Sequence, residues 1–256
     1  MFKAIRISVL LFILFFVAMS SWLTQARSTD WNNSLWVKIY PINADGSDAS
    51  EQYIDRLRVE DFAGIEEFID SEASRYGKNL SQPLRIELGN PISEQPPQLP
   101  ANVSVLNVML WSLKTRWWAS STAGEQDSIE PDVRMFVRYH SPELTLSLEN
   151  SVGLQKGMIG IVNAYASRRQ RGINNVIIAH EFLHTLGATD KYDAFDGQPH
   201  FPDGIADPDR KPLYPQRIAE IMGGRIALAR DDAVVPKNLD FAMIGPLTAS
   251  EINLTD

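Results

Sequence analysis

The chain has 256 residues, no cysteine and only four histidines. The absence of cysteine excludes disulfides, thiolate nucleophiles and cysteine-ligated metal sites. Lysine and arginine total 24 against 32 aspartates and glutamates, which gives a formal net charge of −8. No basic block is longer than the segment RRQR at 168–171. These features argue against nucleic acid as a partner.

Long apolar runs are also rare, and the one that stands out lies at the N-terminus. Lys3 and Arg6 precede the uncharged segment 7–23. A basic start followed by an apolar run is typical of an export signal, and about 17 residues is the lower limit for a span. Ala26 ends the segment TQA and offers a small residue at a cleavage point. We predict that residues 1–26 form a signal peptide or an N-terminal membrane anchor. Either one makes the remainder extracytoplasmic, whether periplasmic or secreted.

The hydrophobic patterns predict a mixed α/β (α+β) fold. Helical spacing of apolar residues is interrupted near Gly64, where we predict a break in the first helix. The first strand, the first helix and the second strand are typical of one βαβ unit. The predicted strands are 35–42, 84–89, 133–140 and 157–166, and the predicted helices are 51–76, 102–118 and 173–186.

Regular patterns fade after Gly187, and residues 189–217 are rich in aspartate, proline and glycine. Such a long irregular segment usually has a functional reason. We predict a single domain over residues 27–256, with an upper part at 32–187 and an irregular C-terminal subdomain at 188–256. The tryptophan-rich helix at 102–118 is apolar on most sides, which is more often typical of a core helix than of one that touches a ligand or a membrane.

Two of the four histidines lie in the segment HEFLH at 180–184. His180 and His184 are four residues apart, so both imidazoles share one helix face and can reach one zinc ion at about 2.0–2.1 Å. Glu181 is rotated by about 100° from His180. It can reach a water whose pKa zinc lowers to about 7, which makes it the predicted general base. Two buried histidines bonded to their neighbours are the alternative interpretation.

A catalytic zinc site needs a third protein ligand. Gly187 can adopt the left-handed conformation that ends a helix and turns the chain back. Asp190 follows three residues later, and its carboxylate can return to the ion. His200, Asp193 and Glu220 remain alternatives for this position.

The spacing HExxHxxGxxD at 180–190 resembles that of the metzincin metalloproteases, and in particular the snapalysin-like secreted proteases, which have aspartate at the third ligand position. Tyr192 stands two residues after that aspartate, as in the snapalysin-like sequences. The segment AEIMGG at 219–224 resembles the methionine turn of the same clan, with Met222 as its methionine. The resemblance covers residues 174–224, about a fifth of the chain.

The resemblance implies a zincin-like fold, with a mixed twisted sheet, a long active-site helix and one zinc ion held by His180, His184 and Asp190. It implies hydrolysis of peptide bonds in a peptide or protein substrate. It also implies an edge strand that pairs with substrate just ahead of the zinc helix, for which 157–166 is our candidate. Many metzincins have tyrosine where Gly224 stands here, so Tyr192 is the candidate that steadies the oxyanion.

Three alternatives stay open. A gluzincin-like peptidase would use Glu220 as its third ligand. A non-catalytic zinc-binding envelope protein would present the tryptophan-rich helix to a partner or a membrane. The long segment after Asp190 also offers ligands for a structural calcium ion, although solvated loop carboxylates are more common; these residues are Asp193, Asp196, His200, Asp203, Asp207 and Asp209.

Overall fold

The structure is a computed structural model that describes residues 30–100, 104–124 and 129–255, together with Arg6, Ile7 and Phe12. Apart from those three isolated positions, the predicted N-terminal signal or anchor lies outside the described residues. None of the helices within the described ranges is long and apolar enough to cross a membrane.

A five-stranded mixed sheet organises the first part of the chain. Its strands run in the order β2-β1-β3-β5-β4. Neighbouring strands are parallel except for β4, which is antiparallel to β5. The mixed α/β class and the first βαβ unit are therefore confirmed. The strands are β1 Leu35–Asn43, β2 Leu84–Leu88, β3 Val133–His140, β4 Val152–Leu154 and β5 Ile159–Tyr165.

The first predicted helix is divided in two, but not at Gly64. The chain leaves the helix at residues 55–58 and re-enters helical structure through a 3-10 turn at Val59–Phe62. The carboxylate of Asp61 accepts a hydrogen bond from the Arg58 amide at 2.9 Å, which starts the new turn. The helices are α1 Asp48–Ile54, α2 Ala63–Arg75, α3 Val105–Gly124, α4 Arg171–Leu186 and α5 Pro246–Glu251.

Both faces of the sheet are buried, as is usual for parallel strands. Along β1, Val37 and Ile39 join the larger apolar cluster, which also contains residues of α1, α2 and α4. Tyr40 and Ile42 point the other way and join the smaller cluster with α3. The Tyr40 ring stacks on Phe136, with 5.2 Å between the ring centroids.

Helix α3 only partly fits the expectation of a core helix. Trp111 and Trp118 are buried, and the Trp118 ring lies 4.7 Å from that of Phe136 on β3. Trp117, by contrast, is 73% exposed. The helix therefore packs on the sheet with one side and exposes apolar residues on another.

Strand β5 is not an edge strand, so the prediction that residues 157–166 form the substrate-pairing edge is wrong. It lies between β3 and β4. The edge belongs to β4, whose three residues are too short to show an alternating pattern in the sequence.

The lower part of the chain has little regular structure. Between α4 and β6, the described residues 188–218 contain a single isolated bridge, Tyr192 to Pro199. Short strand pairs follow, namely β6 Ala219–Glu220 with β9 Ala242–Met243 and β7 Ile226–Ala229 with β8 Asp232–Val234. Buried residues of this part, among them Met222 and Ile252, belong to the same apolar cluster as Phe182 of α4.

Candidate metal centre

Helix α4 carries the HExxH motif at its C-terminal end. Its apolar residues, among them Ile178 and Phe182, are buried against the larger cluster and fix the orientation of the helix. The helix ends at Gly187, whose φ of 114° is left-handed. The Ala188 amide donates to the Leu183 carbonyl at 3.1 Å, which closes the helix and turns the chain back. The predicted reversal is therefore present.

The reversal brings Asp190 to the two histidines. Its Oδ1 lies 3.1 Å from Nε2 of His180 and 3.1 Å from Nε2 of His184. Ligand atoms of His180, Glu181 and His184 also lie within 4.8 Å of one another. Two ligand atoms each about 2.0–2.1 Å from a tetrahedral zinc ion are roughly 3.3 Å apart. The observed spacing of the two imidazoles and the carboxylate therefore fits one zinc ion.

Backbone carbonyls determine which ring nitrogens face the centre. Nδ1 of His180 lies 2.9 Å from the Ile221 carbonyl, and Nδ1 of His184 lies 2.7 Å from the Ala188 carbonyl. A carbonyl can only accept, so each Nδ1 must carry the hydrogen, and each neutral ring has its lone pair on Nε2. Both lone pairs then face Asp190, which is favourable only with a proton or a cation between them. Such outer hydrogen bonds are what orients metal-ligating histidines in proteins.

The ionisable groups of the cluster shift one another's pKa values. Burial raises the pKa of Asp190, but hydrogen bonding with His180 and His184, whose rings donate from Nε2 when they are protonated, more than reverses this and holds that pKa well below its usual range. Burial lowers the pKa of His184, yet its hydrogen bond with Asp190 and the charge of Glu181 produce a net rise. Asp190 is therefore a carboxylate at neutral pH, the form that binds a metal.

Glu181 is buried beside the centre. Its carboxylate accepts a hydrogen bond from the Gly153 amide, and within the described structure its Oε2 has no hydrogen-bond partner. Burial raises the pKa of Glu181, and the neighbouring histidines offset part of that rise. A buried carboxylate oxygen without a partner has its lone pairs available for an incoming proton.

Gly153 on β4 lets the edge strand approach α4 closely. A Cβ atom at this position would overlap Cβ of His184 and the carbonyl oxygen of Glu181. Both are fixed parts of the helix, so neither can move aside without shifting the centre. The glycine is thus required by the contact between β4 and the metal-site helix.

We expect Gly153→Ala to lower the free energy of unfolding by about 1–3 kcal/mol, because the added methyl overpacks this contact. Urea denaturation followed by circular dichroism measures the change. Gly124→Ala is the matched control, since a Cβ there meets nothing within 4 Å. Equal stability of Gly153→Ala and the parent would contradict the close packing described here.

Met222 and Tyr192 both belong to segments that lie next to His180: the Ile221 carbonyl contacts Nδ1 of His180, and the Tyr192 ring lies near the His180 ring. Met222 is fully buried in the 3-10 turn Ile221–Gly223, and its carbonyl accepts from the Lys191 amide at 2.9 Å. The Tyr192 ring centroid is 6.2 Å from that of His180. Burial, the negative charge of Asp190 and a hydrogen bond to it raise the pKa of Tyr192 to about 12, so the phenol remains a donor.

The alternative third ligands are directed elsewhere. The Glu220 carboxylate accepts from the Gly223 amide at 2.7 Å, the Gly245 amide at 3.0 Å and the Thr248 hydroxyl at 2.7 Å. Asp193 Oδ1 accepts from the amide of Phe195 at 2.7 Å. Across the described residues, the potential ligands that come together are His180, Glu181 and His184, with Asp190 Oδ1 3.1 Å from both imidazoles; His200 and the loop aspartates form no second group of three.

Glu251 of α5 holds the residues on either side of Asp190, a role that the sequence did not indicate. Its carboxylate accepts from the Thr189 amide at 3.0 Å and the Thr189 hydroxyl at 2.6 Å, and it pairs with Lys191 Nζ at 2.7 Å. Both residues adjacent to Asp190 are thereby tied to α5. No local pattern indicates this, because the partners are about 60 residues apart in the sequence.

Comparison with known proteins adds little. No family model matches the chain, and no curated protein matches it. Among solved structures, the chain is similar to one from a "Structure of a chaperone-substrate complex", with 14% identity and a TM-score of 0.42. The match covers 86% of this chain and 34% of that chain, so this protein spans about a third of the other's length. A likeness this weak carries no argument about function.

Proposed function

We propose that the protein is an exported, zinc-dependent endopeptidase of the metzincin type. His180, His184 and Asp190 would hold one zinc ion, and Glu181 would act as the general base. We further propose that residues 1–26 serve as an export or anchor segment, which would place the peptide or protein substrate outside the cytoplasm.

One observation carries the proposal. The two Nε2 atoms, with their lone pairs set by backbone carbonyls, are directed at a single carboxylate oxygen 3.1 Å from each. The side chain of Asp190 is 45% exposed, so one side of the centre is open to solvent and substrate. A catalytic zinc site differs from a structural one in having such an open position.

The residues divide the chemistry between them. Zinc, when bound, supplies a Lewis acid and lowers the pKa of a coordinated water to about 7. Glu181 accepts the proton of the attacking water at Oε2, the oxygen that has no partner in the described structure, and passes it to the leaving amine. The Tyr192 hydroxyl, which stays protonated, can donate to the developing oxyanion.

The position of β4 supports an extended peptide as substrate. This edge strand lies against α4, and its Gly153 amide contacts Glu181. Its outer edge can form backbone hydrogen bonds with an added strand, a common mode of peptide recognition. The scissile bond of a peptide bound there would lie next to the centre.

Metal analysis tests the proposal directly. We expect the chelated full chain to take up one zinc ion per molecule and to regain hydrolysis of a mixed peptide library. His180→Ala and His184→Ala should each abolish both properties, because either change removes one of three protein ligands. His200→Ala is the matched control and should behave like the parent. Zinc uptake at full stoichiometry by both ligand variants would refute the assignment.

We expect Glu251→Gln to weaken zinc binding by about tenfold, because it frees the two residues that flank Asp190. Competition with a fluorescent zinc chelator measures the affinity. Glu67→Gln, on the exposed surface of α2, makes the same chemical change without touching the site. Unchanged affinity in Glu251→Gln would show that Asp190 is positioned without α5.

A further inference from the structure

Helix α3 carries a row of exposed apolar side chains, here named the α3 stripe. Its members follow the helical pattern i, i+3, i+4, i+7 and i+11, so they lie on one side of the helix. Each is more than half exposed, and the tryptophan is the most exposed of them. The members of the stripe are Leu106, Met109, Leu110, Leu113 and Trp117.

The stripe is not needed for the core of the protein. The opposite side of the helix supplies the core contacts through Trp111, Thr115 and Trp118, all of which are buried. The apolar surface on the outer side is therefore in excess of what the fold uses. A continuous row of exposed apolar side chains beyond what the core uses is a candidate binding surface, although its area alone does not require a partner.

The charged side chains of α3 itself have one sign. Lys114 and Arg116 are the charged residues of α3, and each follows or precedes a stripe member by one position. They are therefore rotated by about 100° in opposite directions, one on each flank. The whole chain, by contrast, has a net charge of −8. An apolar stripe with tryptophan and cationic flanks is typical of a helix that lies in the interface of an anionic membrane.

An acidic side chain, Glu94, lies beside the C-terminal part of the helix and lines a cavity together with Trp117. Glu94 accepts a hydrogen bond from Thr122 at 3.2 Å, beyond the last member of the stripe. Glu125 and Asp127 follow the helix in the sequence and lie outside the described residues. Lys114 and Arg116 flank the C-terminal part of the stripe, beside Leu113 and Trp117.

The start of β1 lies at the same end of the sheet as the C-terminal end of α3. The helix connects β2 to the parallel strand β3 and so ends near the start of β3. The start of β1 is also there, because the Trp36 amide donates to Asp132 at 2.9 Å. Fewer than ten residues separate the apolar segment 7–23 from Trp31, a reach of about 25 Å when extended. An anchored segment would hold the domain at this distance from lipid.

We propose that the α3 stripe rests on an anionic lipid surface, with the helix in the plane of the interface and Lys114 and Arg116 at the level of the lipid phosphates. A second copy of the chain is the less suitable occupant. The stripe spans about 17 Å and is roughly 10 Å wide, so its footprint is well below the ~800 Å² per partner of a stable interface. The inference is independent of the proposed peptidase activity.

Site-directed spin labelling tests the proposal in the full chain. The lack of native cysteine means that Leu113→Cys accepts a single nitroxide. Asp70→Cys is the matched control, on the exposed side of α2 across the sheet. We expect vesicles of phosphatidylcholine and phosphatidylglycerol to shield the label at 113 from a water-soluble nickel complex and to increase its contact with oxygen. The label at 70 should not change.

Two further arms decide the outcome. Lys114→Gln should weaken the docking of the label at 113 by about fivefold, whereas Arg169→Gln, ahead of α4, should not. A label at 113 that stays as accessible to nickel as the label at 70 would overturn the proposal. So would spin–spin broadening at 113 without vesicles, which indicates a second copy, or equal shielding by phosphatidylcholine alone, which removes the role of charge.

Discussion

Replacing Glu181 by glutamine is expected to reduce peptide hydrolysis by about 100- to 10,000-fold while leaving zinc binding intact. Glutamine has nearly the same shape and can still accept the hydrogen bond from the Gly153 amide. An amide oxygen is not basic enough to take the proton of water, so only the proton transfer is lost. Turnover of a fluorogenic peptide and zinc content per chain, measured on the same sample, give both readouts.

The matched control is again Glu67→Gln, which changes an exposed glutamate of α2 in the same way. Cleavage by Glu181→Gln at the rate of the parent would rule out the proposed general base. Zinc binding by the parent with no cleavage of any peptide would instead favour a non-catalytic zinc-binding protein. The outcome therefore separates a wrong mechanism from a wrong class of protein.

The central part of the candidate site could be predicted because it depends on local geometry. Two histidines four residues apart share a helix face wherever a helix forms. Gly187 and the three-residue interval to Asp190 describe a tight reversal, and the structure places the carboxylate beside both rings. Each of these inferences spans fewer than a dozen residues.

Features that depend on distant or very short segments could not be predicted from the sequence. Strand β4 has three residues, so no alternation could reveal it, and the edge of the sheet was assigned to β5 instead. Glu251 reaches the third ligand through a contact between residues about 60 positions apart. Hydrophobic periodicity carries no information about such pairs, because it reports burial but not the partner.

Helix α3 illustrates a second limit of predicting burial from the hydrophobic pattern. An apolar pattern on most sides of a helix predicts burial on most sides. The structure buries one side and leaves Leu113 and Trp117 exposed. Sequence pattern alone does not distinguish an apolar face packed in the core from one that binds an external surface, since both have the same composition.

Glu220, which links the 3-10 turn Ile221–Gly223 to the C-terminal segment, is expected to have the second large effect when it is replaced. Its buried carboxylate accepts three hydrogen bonds, from the amides of Gly223 and Gly245 and from the Thr248 hydroxyl. We expect Glu220→Ala to lower the free energy of unfolding by about 3–5 kcal/mol, because three buried donors lose their acceptor at once. Thermal denaturation and urea titration measure the loss.

Glu220→Gln separates this role from zinc ligation. One carboxylate oxygen becomes an amino group that faces the Gly223 amide, so we expect a smaller loss of about 1–3 kcal/mol in a chain that still folds. That variant should bind one zinc ion, whereas a gluzincin-like site would lose it. Thr248→Val provides a matched removal of one donor, and it should destabilise Glu220→Ala less than the parent, since the alanine has already removed the hydrogen bond that the two groups share. Additive losses in this cycle would mean that Glu220 stabilises the turn by some other contact.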